Sequence, residues 1–126
     1  MALANHPCPM ILVVEDDNAI REVLTDVLEG EGYQVLNAAN GEEAIRLLRS
    51  STLPCLILLD LMMPVMNGWQ FRDEQRQDPL LAPVPVVVIS ADSDLPTKAA
   101  AINANDFIKK PIELNRLLDT VEQYCG

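Results

Sequence analysis

Leu56-Ile57-Leu58-Leu59-Asp60-Leu61-Met62-Met63-Pro64-Val65-Met66-Asn67-Gly68 decides the fold. Its first four residues are all apolar, which predicts a short strand covered on both faces, since a half-solvated strand would alternate. In a chain that alternates strands and helices, a strand covered on both faces belongs to a parallel sheet. The run then delivers one carboxylate, Asp60, before Pro64 and Asn67-Gly68 turn the chain. The carboxyl edge of an open α/β sheet is where ligands bind, so Asp60 is a candidate site residue. An aspartate at a strand end is also a common turn former or helix cap. The other strand ends discriminate between the two.

Working outward, Ile11-Leu12-Val13-Val14 is a β-branched run that ends in Glu15-Asp16-Asp17. Asp17 is placed to cap a helix whose inner face is Ile20, Val23, Leu24, Val27 and Leu28, closed by Gly30 and Gly32. Tyr33–Ala38 reads as a second strand and Asn40-Gly41 as a turn. Ala44, Leu47 and Leu48 mark a second helix that runs out near Ser50-Ser51. Beyond Gly68, Trp69–Gln77 is a weakly patterned third helix in which Trp69 and Phe71 are packing residues. Pro83 and Pro85 stiffen a loop before a fourth buried strand, Val86–Ile89, that finishes at Ser90-Ala91. Pro96 can open a short fourth helix, and Phe107–Lys110 forms a fifth strand stopped by Pro111. A last helix buries Leu114, Leu117, Leu118 and Val121. The pattern is (βα)₅ over residues 10–126, preceded by a proline-containing, flexible lead-in at 1–9.

The chain's 126 residues fit one domain and one core. A hydrophobic content of 49% includes no run of spanning length and no basic-then-apolar leader, so the expectation is a cytoplasmic protein without membrane insertion. Cys8, Cys55 and Cys125 are odd in number and lack metal spacing, and they are read as reduced thiols. Nine Lys and Arg against nineteen Asp and Glu give a formal charge of −10, which repels phosphate backbones and argues against direct nucleic-acid binding. Cations and basic partner surfaces are favoured.

A parallel sheet would set the strand ends side by side: Glu15 and Asp16, Asp60, Ser90, and Lys110-Pro111. Crowded carboxylates resist ionising together unless a cation compensates them. Oxygen donors with room for water and phosphate suit Mg²⁺. The Asp60 carboxylate is then a nucleophile able to form an aspartyl phosphate, with the Lys110 ammonium and the Ser90 hydroxyl available to the phosphoryl oxygens.

Val-Val-Glu-Asp at 13–16, Asp-x-x-x-Pro-x-x-x-Gly at 60–68 and Lys-Pro at 110–111 together resemble the receiver domain of two-component response regulators, single-domain chemotaxis regulators among them. The resemblance covers residues 10–125. It implies a flavodoxin-like three-layer sandwich with a parallel five-stranded sheet in the order 2-1-3-4-5. It further implies that Asp60 is the phosphoacceptor, and that Asp16, Asp60 and the Met62 backbone carbonyl bind Mg²⁺, with Glu15 acting through water. Ser90 would be the switch hydroxyl, Lys110 the phosphate-contacting lysine behind a cis Lys110-Pro111 bond, and Phe107 the rotameric switch aromatic. The implied function is that of a signalling module, not an enzyme, which assists its own phosphotransfer and autodephosphorylation. Its partners would be a sensor histidine kinase or histidine phosphotransfer protein and a downstream protein target. The implied state is a monomer or a weak phosphorylation-linked dimer, and output would pass through the fourth helix, fifth strand and fifth helix.

Three departures stand out. The segment from Ser90 to Phe107 is short, so the fourth helix is expected to be truncated. Asn103 stands where the family commonly has glycine, and Phe107 where tyrosine is frequent. Asparagine tolerates the left-handed conformation. A stand-alone regulator is favoured over a module excised from a larger regulator or hybrid kinase. A flavodoxin-like cofactor module would instead want a Ser/Thr/Gly-rich loop after the first strand. An aspartyl-phosphate hydrolase would want a second acid where Met62 stands.

Overall fold

The computed structural model describes residues 9–50, 52–61 and 66–125. Five strands, β1 (Met10–Val14), β2 (Gln34–Ala38), β3 (Leu56–Asp60), β4 (Val86–Ser90) and β5 (Asp106–Lys109), form one sheet in the order β2-β1-β3-β4-β5. Every neighbouring pair is parallel. The connecting helices are α1 (Asn18–Gly30), α2 (Gly41–Ser50), α3 (Gly68–Gln77), α4 (Leu95–Ala101) and α5 (Leu114–Cys125). This is the flavodoxin-like arrangement expected. The lead-in at 1–8, Met62 and Gly126 lie outside the described residues.

Side chains of successive strand residues point to opposite faces, and the sheet divides its apolar residues accordingly. Leu12, Val14, Ile57, Leu59, Val86 and Val88 pack with α2, α3 and α4 through Ala44, Leu48, Phe71 and Leu95. Ile11, Val13, Leu56, Leu58, Val87 and Ile89 pack with α1 and α5 through Leu24, Leu28, Leu117 and Val121. Leu56–Leu59 is therefore buried on both sides, as its unbroken apolar run requires.

Local signals set the helix ends. The Asp17 carboxylate accepts from the Ile20 amide at 3.0 Å and caps α1. Gly32, at φ +96°, takes the left-handed position after that helix. The Asn40-Gly41 signal proves to be a helix start, in which Asn40 Oδ1 accepts from the Glu43 amide at 2.8 Å. Two glycines admit the loop that follows Asp60. A Cβ on Gly68 would stand 2.8 Å from Leu61 Cα, and one on Gly41 would stand 2.8 Å from the Met66 carbonyl. Asn103 takes φ +54°, as its tolerance for that region allows, and the Lys110-Pro111 peptide bond is cis.

Two readings need correction. Val23 and Leu114, expected on inner faces, are 61% and 52% exposed. They line a groove of about 560 Å³ between α1 and α5, whose open side leaves one apolar residue on each helix without a cover. The cysteines are not all reduced thiols: Cys55 and Cys125 form a disulfide across 70 residues, with their Cα atoms 5.5 Å apart. The physical reason is topological. Cys55 stands at the amino end of β3, and α5 runs back along the sheet to finish at that same edge. Finally, weakly patterned α3 is anchored by polar groups. Arg72 donates to the Ile102 and Asn103 carbonyls and to Gln75, which in turn donates to the Leu81 and Val84 carbonyls.

Candidate functional site

β1 and β3 are neighbours in register, Val14 opposite Leu59, so the residues that follow them emerge together at the carboxyl edge. Glu15 and Asp60 are 2% and 6% exposed, whereas Asp16 faces solvent. One carboxylate oxygen from each of Glu15, Asp16 and Asp60 lies within 4.8 Å of the others. Lys110, just past β5, reaches into this cluster from the far side of β4. Its Nζ donates to Glu15 Oε1 at 2.8 Å and lies 3.7 Å from Asp60 Oδ2.

The backbone holds the acids in place. The Glu15 amide donates to the Ala38 carbonyl at 3.0 Å, extending the β1–β2 ladder by one residue. Arg21 Nη1 donates to the Glu15 carbonyl at 2.6 Å, and the Asp17 amide donates to Glu15 Oε2 at 3.2 Å. Burial pushes the Glu15 carboxyl up. Hydrogen bonding with Asp60, Lys110 and the Asp17 amide outweighs that and holds it below its ordinary value. For Lys110 burial pulls down, but the Glu15 hydrogen bond and the charges of Asp60, Glu15 and Asp16 hold the ammonium above its ordinary range. The cluster therefore holds more negative charge than its one lysine neutralises.

Ser90 ends β4 at the same edge, buried, but its Oγ accepts from the Asp92 amide at 3.1 Å. Asp92 also accepts from the Asp94 amide at 2.8 Å and pairs with the Lys98 ammonium. Lys98 in turn stands 5.9 Å from the centroid of the Trp69 ring. Phe107, on the outer strand β5, is partly buried against the α2–α4 side of the core. The structure thus brings Glu15, Asp16, Asp60 and Lys110 together, sets Ser90 at their edge with its hydroxyl turned to its own loop, and keeps Phe107 one strand away. The Met62 carbonyl lies outside the described residues. Arg21, Asp92 and Lys98 were not legible as neighbours of the site.

Three carboxylates with an ammonium at their rim suit a hard cation that takes oxygen ligands and keeps open positions for water or phosphate. The charge surplus at the cluster is what such a cation would compensate. With a buried carboxylate beside a lysine, the same edge is equipped to place a phosphoryl group.

Comparison with known proteins bears on this geometry. The family model of the response regulator receiver domain matches residues 11–122. An uncharacterized 14.6 kDa protein of Leptolyngbya boryana is 36% identical over 117 residues, covering 91% of this chain and 88% of that protein. The transcriptional regulatory protein AfsQ1 of Streptomyces coelicolor is 36% identical over 114 residues, covering 88% of this chain and 48% of AfsQ1, so the chain spans under half of that regulator's length. Among solved structures, the receiver domain of the sensor histidine kinase PA1611 from Pseudomonas aeruginosa PAO1 matches with a TM-score of 0.85 at 26% identity. The match covers 95% of this chain and 99% of that one, and that receiver domain carries a magnesium ion in its active-site cleft.

Proposed function

The chain belongs to the response regulator receiver family of two-component systems, a family of signalling domains that bind Mg²⁺ in the active site, and from that premise we propose that Asp60 is its phosphoacceptor. Residues 10–126 form the receiver unit. The observation that carries the reading is the convergence of Glu15, Asp16 and Asp60 with Lys110 at the carboxyl edge of β1, β3 and β5.

An Asp60 carboxylate oxygen attacks the phosphorus of a phosphohistidine on a sensor histidine kinase or histidine phosphotransfer protein. The phosphorus–nitrogen bond breaks and its electron pair returns to the imidazole. Lys110 stands beside both Glu15 and Asp60 and contributes a fixed positive charge to the incoming phosphoryl oxygens. Glu15, Asp16 and Asp60, with the Met62 carbonyl, would hold Mg²⁺, whose charge offsets that of the carboxylates and the phosphoryl group. The groove between α1 and α5 has Lys110 on its rim.

Output follows from what a phosphoryl group can reach. Ser90 Oγ, released from the Asp92 amide, turns to the phosphoryl oxygen and draws the β4–α4 loop with it. Phe107 then repacks, and the surface of α4, β5 and α5 changes for a downstream protein. Complete burial of an exposed ring contributes on the order of 1.5–3 kcal/mol, and the part still open to the half-buried Phe107 is enough to bias an equilibrium between two states. The same edge admits the water that later hydrolyses the aspartyl phosphate.

Intact mass after incubation with acetyl phosphate and Mg²⁺ tests the assignment. The wild type should gain one phosphoryl group and Asp60→Asn none, with folding of the variant checked by circular dichroism. An unlabelled wild type, or a labelled Asn variant, overturns it.

A further inference from the structure

We propose that Cys55 and Cys125 form a reversible dithiol–disulfide couple that sets how firmly the end of α5 is docked, an input to the domain separate from Asp60. The two cysteines are joined across 70 residues of chain, at the edge of the sheet opposite the acidic cluster. Cys55 and Asp60 occupy the two ends of one strand, about 16 Å apart at 3.3 Å per residue. A reaction at one end leaves the other chemically untouched.

Two features make the couple regulatory in character. The first is that the fold does not depend on it for a core. Both faces of the sheet carry continuous apolar clusters, unlike small domains that rely on disulfides because they cannot bury enough surface. The second is access. Both cysteines are only half-buried, so neither residue is sealed inside the core.

The consequence falls on α5. Its buried anchors are Leu117, Thr120 and Val121, all before the last turn. Beyond Val121, Glu122 and Gln123 are exposed, and noncovalent attachment is left to Tyr124, whose hydroxyl donates to the Asn105 carbonyl at 3.3 Å, and to the Cys125 side chain. The bond to Cys55 is thus the strongest tie of that turn to the sheet. Once it is reduced, the turn is tied to the rest of the domain by one long hydrogen bond and partial apolar contact beside its own helical backbone bonds, and it frays.

The chemistry balances as thiol–disulfide exchange with a small disulfide of the oxidised glutathione class. One cysteine thiolate attacks a reagent sulfur and releases one reagent thiolate. The second cysteine thiolate attacks the mixed disulfide and releases the other. Two electrons and two protons pass from the protein dithiol to the reagent, which leaves as two thiols.

The full chain carrying Cys8→Ser, equilibrated across mixtures of reduced and oxidised glutathione, gives the test. Alkylation and intact mass should show two reactive thiols at the reducing end and none at the oxidising end, reversibly. Amides in 121–125, which open locally, should exchange about tenfold faster after reduction, while those of β1 and β3 exchange faster only as far as the fall in global stability requires. The melting temperature should fall by roughly 8–15 °C. Cys55→Ser should match the reduced protein and form no internal disulfide, Cys125 taking up at most one glutathione, and Asp60→Asn should respond like the parent, since the couple does not involve the acidic cluster. Thiols that stay reduced in excess oxidised glutathione overturn the couple. A disulfide that forms without changing exchange in 121–125 overturns its action on α5.

Discussion

α3 and α4 lie side by side on the same face of the sheet, yet they are held by opposite means. α3 stabilises its own start: the Asn67 side chain accepts from the Gln70 amide at 2.9 Å, and Gln70 Oε1 accepts from the Asn67 amide at 3.0 Å, a complete capping box. α4 has seven residues, and its cap residue Asp94 makes no side-chain bond to the helix. Its two ends are fastened from outside. At the start, the Asp92 carboxylate bonds the Asp94 amide and the Lys98 ammonium. At the finish, Arg72 of α3 donates to the Ile102 carbonyl at 2.9 Å and the Asn103 carbonyl at 2.7 Å. Isolated helices this short are unstable in water, so α4 exists because its neighbours hold it. A helix held in this way is free to answer a change in the loop that fastens it, and that loop begins at Ser90.

Removing the external fastening should have the largest effect. Arg72→Met leaves the Ile102 and Asn103 carbonyls and the Gln75 side chain without their buried donor, and should cost about 2–4 kcal/mol in urea unfolding. Exchange should accelerate in 95–103 beyond the global change. A loss under about 1 kcal/mol would mean that α4 does not depend on α3 for its end. Cutting the internal fastening comes next. Asn67→Ala removes one half of the capping box and should cost about 1 kcal/mol, with faster exchange confined to the first turn of α3. If 95–103 loosens as much as 68–71, the two helices are not independently secured and the contrast between them fails.

The smallest effect on stability should come from the Asp92–Lys98 pair, which is half-exposed and screened by solvent. Lys98→Met should leave the melting temperature nearly unchanged while raising exchange in 92–98 and tightening binding of beryllofluoride, because Ser90 Oγ is then easier to free. Its pH dependence has a definite sign. Hydrogen bonds from Lys98 and the Asp94 amide hold the Asp92 carboxyl below its ordinary 3.8. Their contribution is therefore present above that pH and lost as pH falls through the depressed value. The Asp94 amide resonance should shift over that range in the wild type, and at higher pH in Lys98→Met. An identical titration in both would show that Lys98 does not hold the Asp92 carboxylate.

The α3–α4 contrast also marks how far the sequence can be read. α4 was foreseeable as short from the interval between Ser90 and Phe107, and α3 as weakly patterned from its polar composition. That α3 is secured by buried polar groups could not be foreseen. Arg72 and Gln75 look like surface residues in a sequence, since nothing local reports that the Ile102, Leu81 and Val84 carbonyls will surround them. The site divides in the same way. Asp60, Glu15 and Asp16 were legible because each directly follows an apolar strand. The placing of Lys110 against Glu15 needed β4 and β5 in position, and the engagement of Ser90 with the Asp92 amide needed the loop's own geometry.

By itself the sequence determined the alternation of five strands with five helices, the burial of β3 on both faces, and the edge at which the acids emerge. Those properties reside in residue periodicity, which each element carries within itself. Only the tertiary structure decided which elements adjoin. It joined Cys55 to Cys125, left Val23 and Leu114 exposed beside a groove, and gave α4 its two fastenings. The reason is that periodicity specifies how much of a helix or strand is covered but not by what. The partner of a sulfur, a guanidinium or an exposed leucine is fixed by which distant segment the sheet order brings beside it.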